Sequence, residues 1–233
     1  MIEKLSNGMI PNQMDLWDKQ HMHRGRVGPE ATSLRDVPND TAILFTNYLS
    51  VNPSNILEIG CANGRDARYW ASLGHTIFCV DFSQVALDQL DSIAQEQGVR
   101  DLLRPILHDI NTGKLPETGD CPLHGFYSRS ALHINDEKMI SIAKEIDKKI
   151  VSRGVILIEG KGNDDHKIKR GVPLDQNLII DHFENGHIRR VWTKSFILNM
   201  CDMFNWQIKS LEEKNESSGG NLTKFVRLIA YKS

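Results

Sequence analysis

The 233-residue sequence is poor in cysteine: Cys61, Cys79, Cys121 and Cys201 are its only four, and none stands in a C-x-x-C pair. That spacing offers neither a zinc site nor a disulfide framework, and a reducing, cytoplasmic setting is the simplest expectation. Basic excess is also absent. A formal net charge of −2 leaves no broad field for nucleic acid, so a nucleic-acid partner is not favoured. No apolar run approaches a membrane span, and the stretch around Glu3, Asn7 and Asn12 has no apolar core of signal-peptide length, so no membrane partner is expected. No His/Asp/Glu cluster has ligand spacing, which argues against a metal. Internal repeats are lacking too. What remains, 40% hydrophobic and 25% charged, is enough for one sizeable α/β core with an appended cap.

The informative stretch is Asn55-Ile-Leu-Glu-Ile-Gly-Cys-Ala-Asn-Gly64. Ile56, Leu57 and Ile59 form a short apolar run without helical spacing, between Pro53 and Gly60, and read as a buried parallel strand. Gly60 and Gly64 bracket a tight turn that leads into an amphipathic helix over 65–73. Such a turn presents backbone N–H groups at a helix N-terminus, a geometry suited to a nucleotide. Thr76 to Val80 is a second buried strand and Asp81 ends it, where a carboxylate accepts the two hydroxyls of an adenosine ribose. A dinucleotide pyrophosphate calls for G-x-G-x-x-G. Here the middle glycine is missing, and a cofactor without phosphates fits better.

On Glu58, Gly60, Gly64 and Asp81 the sequence resembles the class I S-adenosylmethionine-dependent methyltransferases, whose first motif is E-x-G-x-x-x-G and whose second strand ends in an acid. The resemblance runs from about residue 53 to the C-terminus. It implies an α/β, Rossmann-like fold: a seven-stranded, mostly parallel sheet with an antiparallel C-terminal hairpin and helices on both faces. It also implies S-adenosylmethionine as cofactor and S-adenosylhomocysteine as product. By the same resemblance Cys61, Asn63 and Arg65 in the turn, Phe82 and Ser83 after Asp81, Asp109 and Ile110 beside the adenine, and Ser128 and Arg129 at the end of the fourth strand are further cofactor contacts. A solvated turn aspartate is the plainer reading of Asp109. A nicotinamide oxidoreductase and a catalytically silent S-adenosylmethionine-binding module remain as alternatives.

Along the chain, residues 1–50 read as an N-terminal helical arm or lid and 51–233 as the methyltransferase domain. The arm holds a short helix at Asp15 to Gln20 bearing Trp17, the basic stretch from His21 to Arg26, Pro29 and Pro38, and a helix over 41–49 with Asp40 as N-cap. Trp17 either covers the cofactor or packs alone on a mobile segment. Further elements are a helix from Ser83 to about Gln97 ended by Gly98, strands over 102–107, 125–129 and 154–159, and helices over 136–151 and 194–204. Two strands, 206–211 and 224–231, flank a polar, glycine-rich loop. Residues 160–193 form a polar acceptor-side insertion without a long apolar stripe.

The acceptor is less legible. His133 follows the fourth strand and is a candidate general base; a capping or core histidine is the plainer reading. Lys161, His187, Arg189 and Arg190 in the insertion, together with Trp17, are candidate acceptor contacts. Their charge suggests an anionic small molecule, since Arg presents a planar fork to carboxylate or phosphate. Ser128-Arg-Ser-Ala-Leu-His133 stands where DNA amino-methyltransferases carry an Asp/Asn-Pro-Pro-aromatic motif, so base methylation loses ground. Tyr127 to His133, Gly160-Lys-Gly162 and Gly186 to Arg190 also resemble, more loosely, small bacterial methyltransferases that act on glycan ends. An oxygen nucleophile is favoured, with nitrogen left open, and the oligomeric state is unknown.

Overall fold

The computed structural model describes residues 10–24, 37–218 and 221–233. Arg26 and Pro29 of the arm, and Gly219-Gly220 of the last loop, lie outside these.

Seven strands make one sheet in the order β3-β2-β1-β4-β5-β10-β9: β1 (Asn55–Ile59), β2 (Thr76–Asp81), β3 (Leu103–Leu107), β4 (Leu123–Arg129), β5 (Ile150–Lys161), β9 (Gln207–Ser218) and β10 (Asn221–Tyr231). The first five run parallel to one another, and β10 pairs antiparallel with both β5 and β9. The strand order therefore reverses between β1 and β4, and a crevice opens there at the C-terminal ends.

Helices cover both faces, and the strand alternation shows why. Ile56 and Ile77 join one buried cluster with Ala42 and Phe45 of α2 (Asp40–Thr46), Trp70 of α3 (Arg65–Ser72) and Leu87 and Leu90 of α4 (Gln84–Glu96). Their neighbours Leu57 and Phe78 join the other, with Met139, Ile142 and Ile146 of α5 (Asp136–Lys149) and Ile197 and Met200 of α7 (Lys194–Met203). Strands buried on both faces read as continuous apolar runs, the pattern seen in the sequence. The N-cap of α2 is Asn39 rather than Asp40, its side chain accepting the Ala42 amide. The first helix, α1, is longer than expected, Gln13–Arg24.

The insertion departs most from expectation. After β5 and the one-turn α6 (His166–Lys169), the chain builds a three-stranded antiparallel sheet of β6 (Val172–Asp175), β7 (Leu178–Asp181) and β8 (His187–Arg190). Its apolar centre is Leu178, Ile179 and Ile180, all buried, a run too short to stand out in a polar sequence. Arg190 pins this sheet to the core. Its guanidinium is fully buried, with Nη2 2.6 Å from an Asp136 oxygen, Nη1 2.7 Å from the Ile134 carbonyl and the Phe196 ring beneath it. Arg190→Ala strands a half-buried carboxylate and removes the packed stem, and is expected to cost about 2 kcal/mol, or about 6 °C in melting temperature, readable by urea and thermal unfolding.

Candidate active site

A cavity of about 240 Å³ fills the crevice where the strand order reverses. Its floor is the turn after β1. Gly60 and Gly64 take φ of +78° and +73°, and Ala62 between them takes +50°. A Cβ at Gly60 would stand 2.1 Å from the Ala131 Cβ, and one at Gly64 would stand 2.6 Å from the Leu90 side chain. Both glycines thus serve left-handed backbone and close packing together.

The amides of this turn point inward, contrary to the cradle expected from the glycine spacing. Gly60 and Cys61 donate to the Val80 carbonyl, at 2.7 and 3.1 Å, Gly64 donates to the Cys61 carbonyl, and Ala62 donates to Asp81. Four of the five N–H groups from Gly60 to Gly64 are spent within the protein, which disfavours a pyrophosphate there.

Three acids gather round the floor. Asp81 takes the Ala62 amide on one oxygen at 2.9 Å and the Ser83 amide on the other at 3.0 Å, which orients the carboxylate. Burial raises its pKa, opposed by those amides and by His21. Asp66, in the first turn of α3, accepts from the Asn39 amide group, the Asn39 backbone N–H and the Tyr127 hydroxyl. Glu58 is the unusual member. Burial first, then the Asp66 and Cys79 side chains, pushes its carboxyl well above the ordinary range, and its Oε2 is buried with no hydrogen-bond partner. Asn63 Oδ1, also on the cavity wall, is another buried acceptor without a partner.

Helix α1 lies over the mouth. Asp18 accepts from the Ser83 hydroxyl at the start of α4, and Gln89 donates to the His21 carbonyl. On the other side Gln13 donates to the Gly186 carbonyl and accepts the Ile188 amide. Trp17 faces the cavity, stacked on His133 at 6.2 Å between centroids and edge-on to His187 at 4.7 Å.

Of the residues singled out in the sequence, Glu58, Gly60, Cys61, Asn63, Arg65, Asp81, Phe82, Asp109, Ile110, Arg129, His133 and Trp17 line this cavity. Asp109 is also engaged locally, one oxygen accepting the Asn111 amide at 2.8 Å. The others stand behind the wall. Gly64 is the N-cap residue of α3, Ser83 caps α4 and holds Asp18, and Ser128 donates to the Ile59 carbonyl.

The basic cluster does not converge on the cavity. Lys161 is paired with Asp165, Arg189 with Asp181 and Glu184, and Arg190 with Asp136, while His187 Nδ1 lies 2.5 Å from the Glu184 carbonyl oxygen. The insertion sends Ile188, not a cation, to the lining. Charge density along the chain misled here because Asp165, Asp181 and Glu184 in the same segment, and Asp136 at the start of α5, absorb it. Lining residues missed in the sequence include Asn39 and Asp66, which stand in no motif, and Ala62, Tyr127 and Ser130, which lie within motif stretches but were not singled out. Asp66 reads from sequence as an ordinary first-turn acid.

His133 is not placed as a base. Burial, then the nearby Arg189, His187 and Lys161, pushes its pKa down to about 3, so the imidazole is neutral and a poor proton acceptor at neutral pH.

Residues 56–154 match the family model described as a methyltransferase domain. No protein of curated function matches the sequence. Among solved structures, TehB from Haemophilus influenzae is 18% identical with a TM-score of 0.64, over 84% of this chain and 62% of that one. The 1,6-didemethyltoxoflavin-N1-methyltransferase of Burkholderia thailandensis, bound to its substrate and S-adenosylhomocysteine, is 15% identical with a TM-score of 0.64, over 97% and 93%. The [4+2]-cyclase SpnF is 15% identical with a TM-score of 0.68, over 94% and 95%. At these identities the likeness is one of fold.

Proposed function

We propose that this chain, whose residues 56–154 match a methyltransferase domain and whose fold is that of S-adenosylhomocysteine-bound methyltransferases, methylates a small-molecule acceptor admitted between α1 and β8. The observation that carries this reading is the unpartnered, buried Glu58 oxygen beside Asn63 Oδ1 and the oriented Asp81 carboxylate. Such a site suits a ligand that brings hydroxyl and N–H donors and positive charge, with no phosphate. S-Adenosylmethionine meets that description, and its sulfonium supplies an electrophilic methyl carbon.

Asp81 would hold the ribose hydroxyls, Glu58 and Asn63 the ammonium end, and Asp109 with Ile110 the adenine. The protein's remaining tasks are to position the nucleophile and keep water out, which supply much of the rate in such a transfer. Trp17, Ile188 and Ala131 give the acceptor side an apolar wall. An anionic acceptor or glycan end has lost its main support, because Lys161, Arg189 and Arg190 are matched by carboxylates within the protein. The reading that best fits the wall is a compact, largely apolar acceptor, methylated on oxygen or nitrogen.

S-Adenosylhomocysteine at 100 times its dissociation constant is expected to stabilise the protein by about 2.7 kcal/mol, with NAD giving no shift. Asp81→Ala should abolish that stabilisation. Stabilisation by NAD alone would overturn the cofactor reading. The same fold also carries a [4+2]-cyclase, so a second reading is a protein that does not transfer methyl groups, and failure of labelled methyl groups to reach any small molecule of a broad panel would support it.

A further inference from the structure

His133 stands at the cavity wall with an arrangement that its sequence neighbours do not announce. Strand β8 is the edge of the small sheet, so its outward N–H groups need partners from elsewhere. The Ile188 amide has the Gln13 side chain, the Trp192 amide beyond it has the Lys161 carbonyl at 2.8 Å, and the Arg190 amide between them donates to His133 Nδ1 at 3.3 Å. An imidazole nitrogen that accepts a hydrogen bond carries no proton, so in the neutral ring the proton belongs to Nε2. His133 Nε2 is buried, has no partner within hydrogen-bond distance, and belongs to a residue that lines the cavity. An unsatisfied buried donor is costly, and one at a cavity wall is available to a ligand that brings an acceptor atom.

We propose that His133 is a hydrogen-bond donor of fixed tautomer that selects acceptors carrying a lone-pair atom, such as a ring nitrogen or a carbonyl oxygen, beside the nucleophile. This rests on the methyl-transfer reading and narrows its substrate class. The Arg190 backbone acts as the positioning group, and the buried Arg190 guanidinium holds that backbone against the 134–136 loop. The charged groups that face the ring are Arg189 and His187 from β8 and Lys161 from the end of β5, with Trp17 of α1 over its face. All three are cations or potential cations, so they keep the ring neutral through the physiological range, and Nδ1 takes up no proton during turnover.

Two measurements on the full chain test this. Long-range proton–nitrogen spectra of the ligand-free, 15N-labelled protein should show His133 protonated at Nε2 and unchanged from pH 5.5 to 8. A ring that titrates near its ordinary value, or one protonated at Nδ1, overturns the proposal. With S-adenosylhomocysteine bound, quinoline and naphthalene then serve as paired probes differing in one lone pair. Quinoline should bind the wild-type protein about 10-fold more tightly, a preference lost in His133→Phe and partly restored in His133→Gln, whose amide N–H reaches a similar place. Equal behaviour of the two probes on the wild type, or a preference that survives His133→Phe, overturns it. The spectra need no cofactor, so a failure of the tautomer is told apart from a failure of cofactor binding.

Discussion

Glu58→Gln should yield a ligand-free protein that melts higher and a site that no longer holds its cofactor. Glu58 is raised above its ordinary range chiefly by burial, so the native state binds its proton more tightly than the unfolded chain does. Between the unfolded value and the raised one, stability therefore falls as pH increases. Glutamine has no charge to desolvate. The variant should lose the Glu58 share of that decline and gain about 3 °C above the raised pKa. Asp81, raised in the same direction, retains its own share.

Binding should move the opposite way. A cationic ligand end favours the ionised form of Glu58, so wild-type affinity for S-adenosylhomocysteine should rise with pH until the carboxyl has lost its proton. In Glu58→Gln that rise disappears and affinity falls about 100-fold, since a charge-assisted contact becomes a neutral one. Calorimetry across pH, with proton release read from buffers of different ionisation enthalpy, checks both. Unchanged affinity in the variant would remove Glu58 from the cofactor site.

Gly60→Ala is the second large effect. The new methyl group would overlap the Ala131 Cβ at 2.1 Å, on a residue whose φ is +78°. Left-handed backbone costs an L residue about 1–2 kcal/mol and forced overlap about 1–3 kcal/mol more, so a loss of about 3–5 kcal/mol is expected, with the cofactor turn displaced. The two causes separate in a cycle with Ala131→Gly, which relieves the overlap and leaves the backbone strain. Recovery of roughly half the loss in urea unfolding supports this division, and no recovery would place the whole penalty on the backbone.

These positions were visible in the sequence because their roles are local. A strand that ends in E-x-G, a turn closed by a second glycine and a following strand ending in an acid are adjacent in the chain, so Glu58, Gly60 and Asp81 could be found by spacing. The seven-stranded sheet was legible for a similar reason, since doubly buried strands are continuous apolar runs. The acceptor side is built differently. Asn39 and Asp66 meet across 27 residues, and His133 and Arg190 across 57. No periodicity encodes such a meeting. The basic segment looked like an anion site because only the fold reveals that Asp165, Asp181 and Glu184 absorb its charge. The strands β6 to β8 were missed because three apolar residues in a row carry too little pattern to announce a strand.

The Gln13 amide, bonded to the Gly186 carbonyl and the Ile188 N–H, mimics one rung of a missing fourth strand on the outer margin of β8. Its helix thereby denies foreign peptide chains a template on which to zip up. Any event that swings α1 aside to admit a molecule also bares that rung, so access for the acceptor and resistance to clumping share the Gln13 contact.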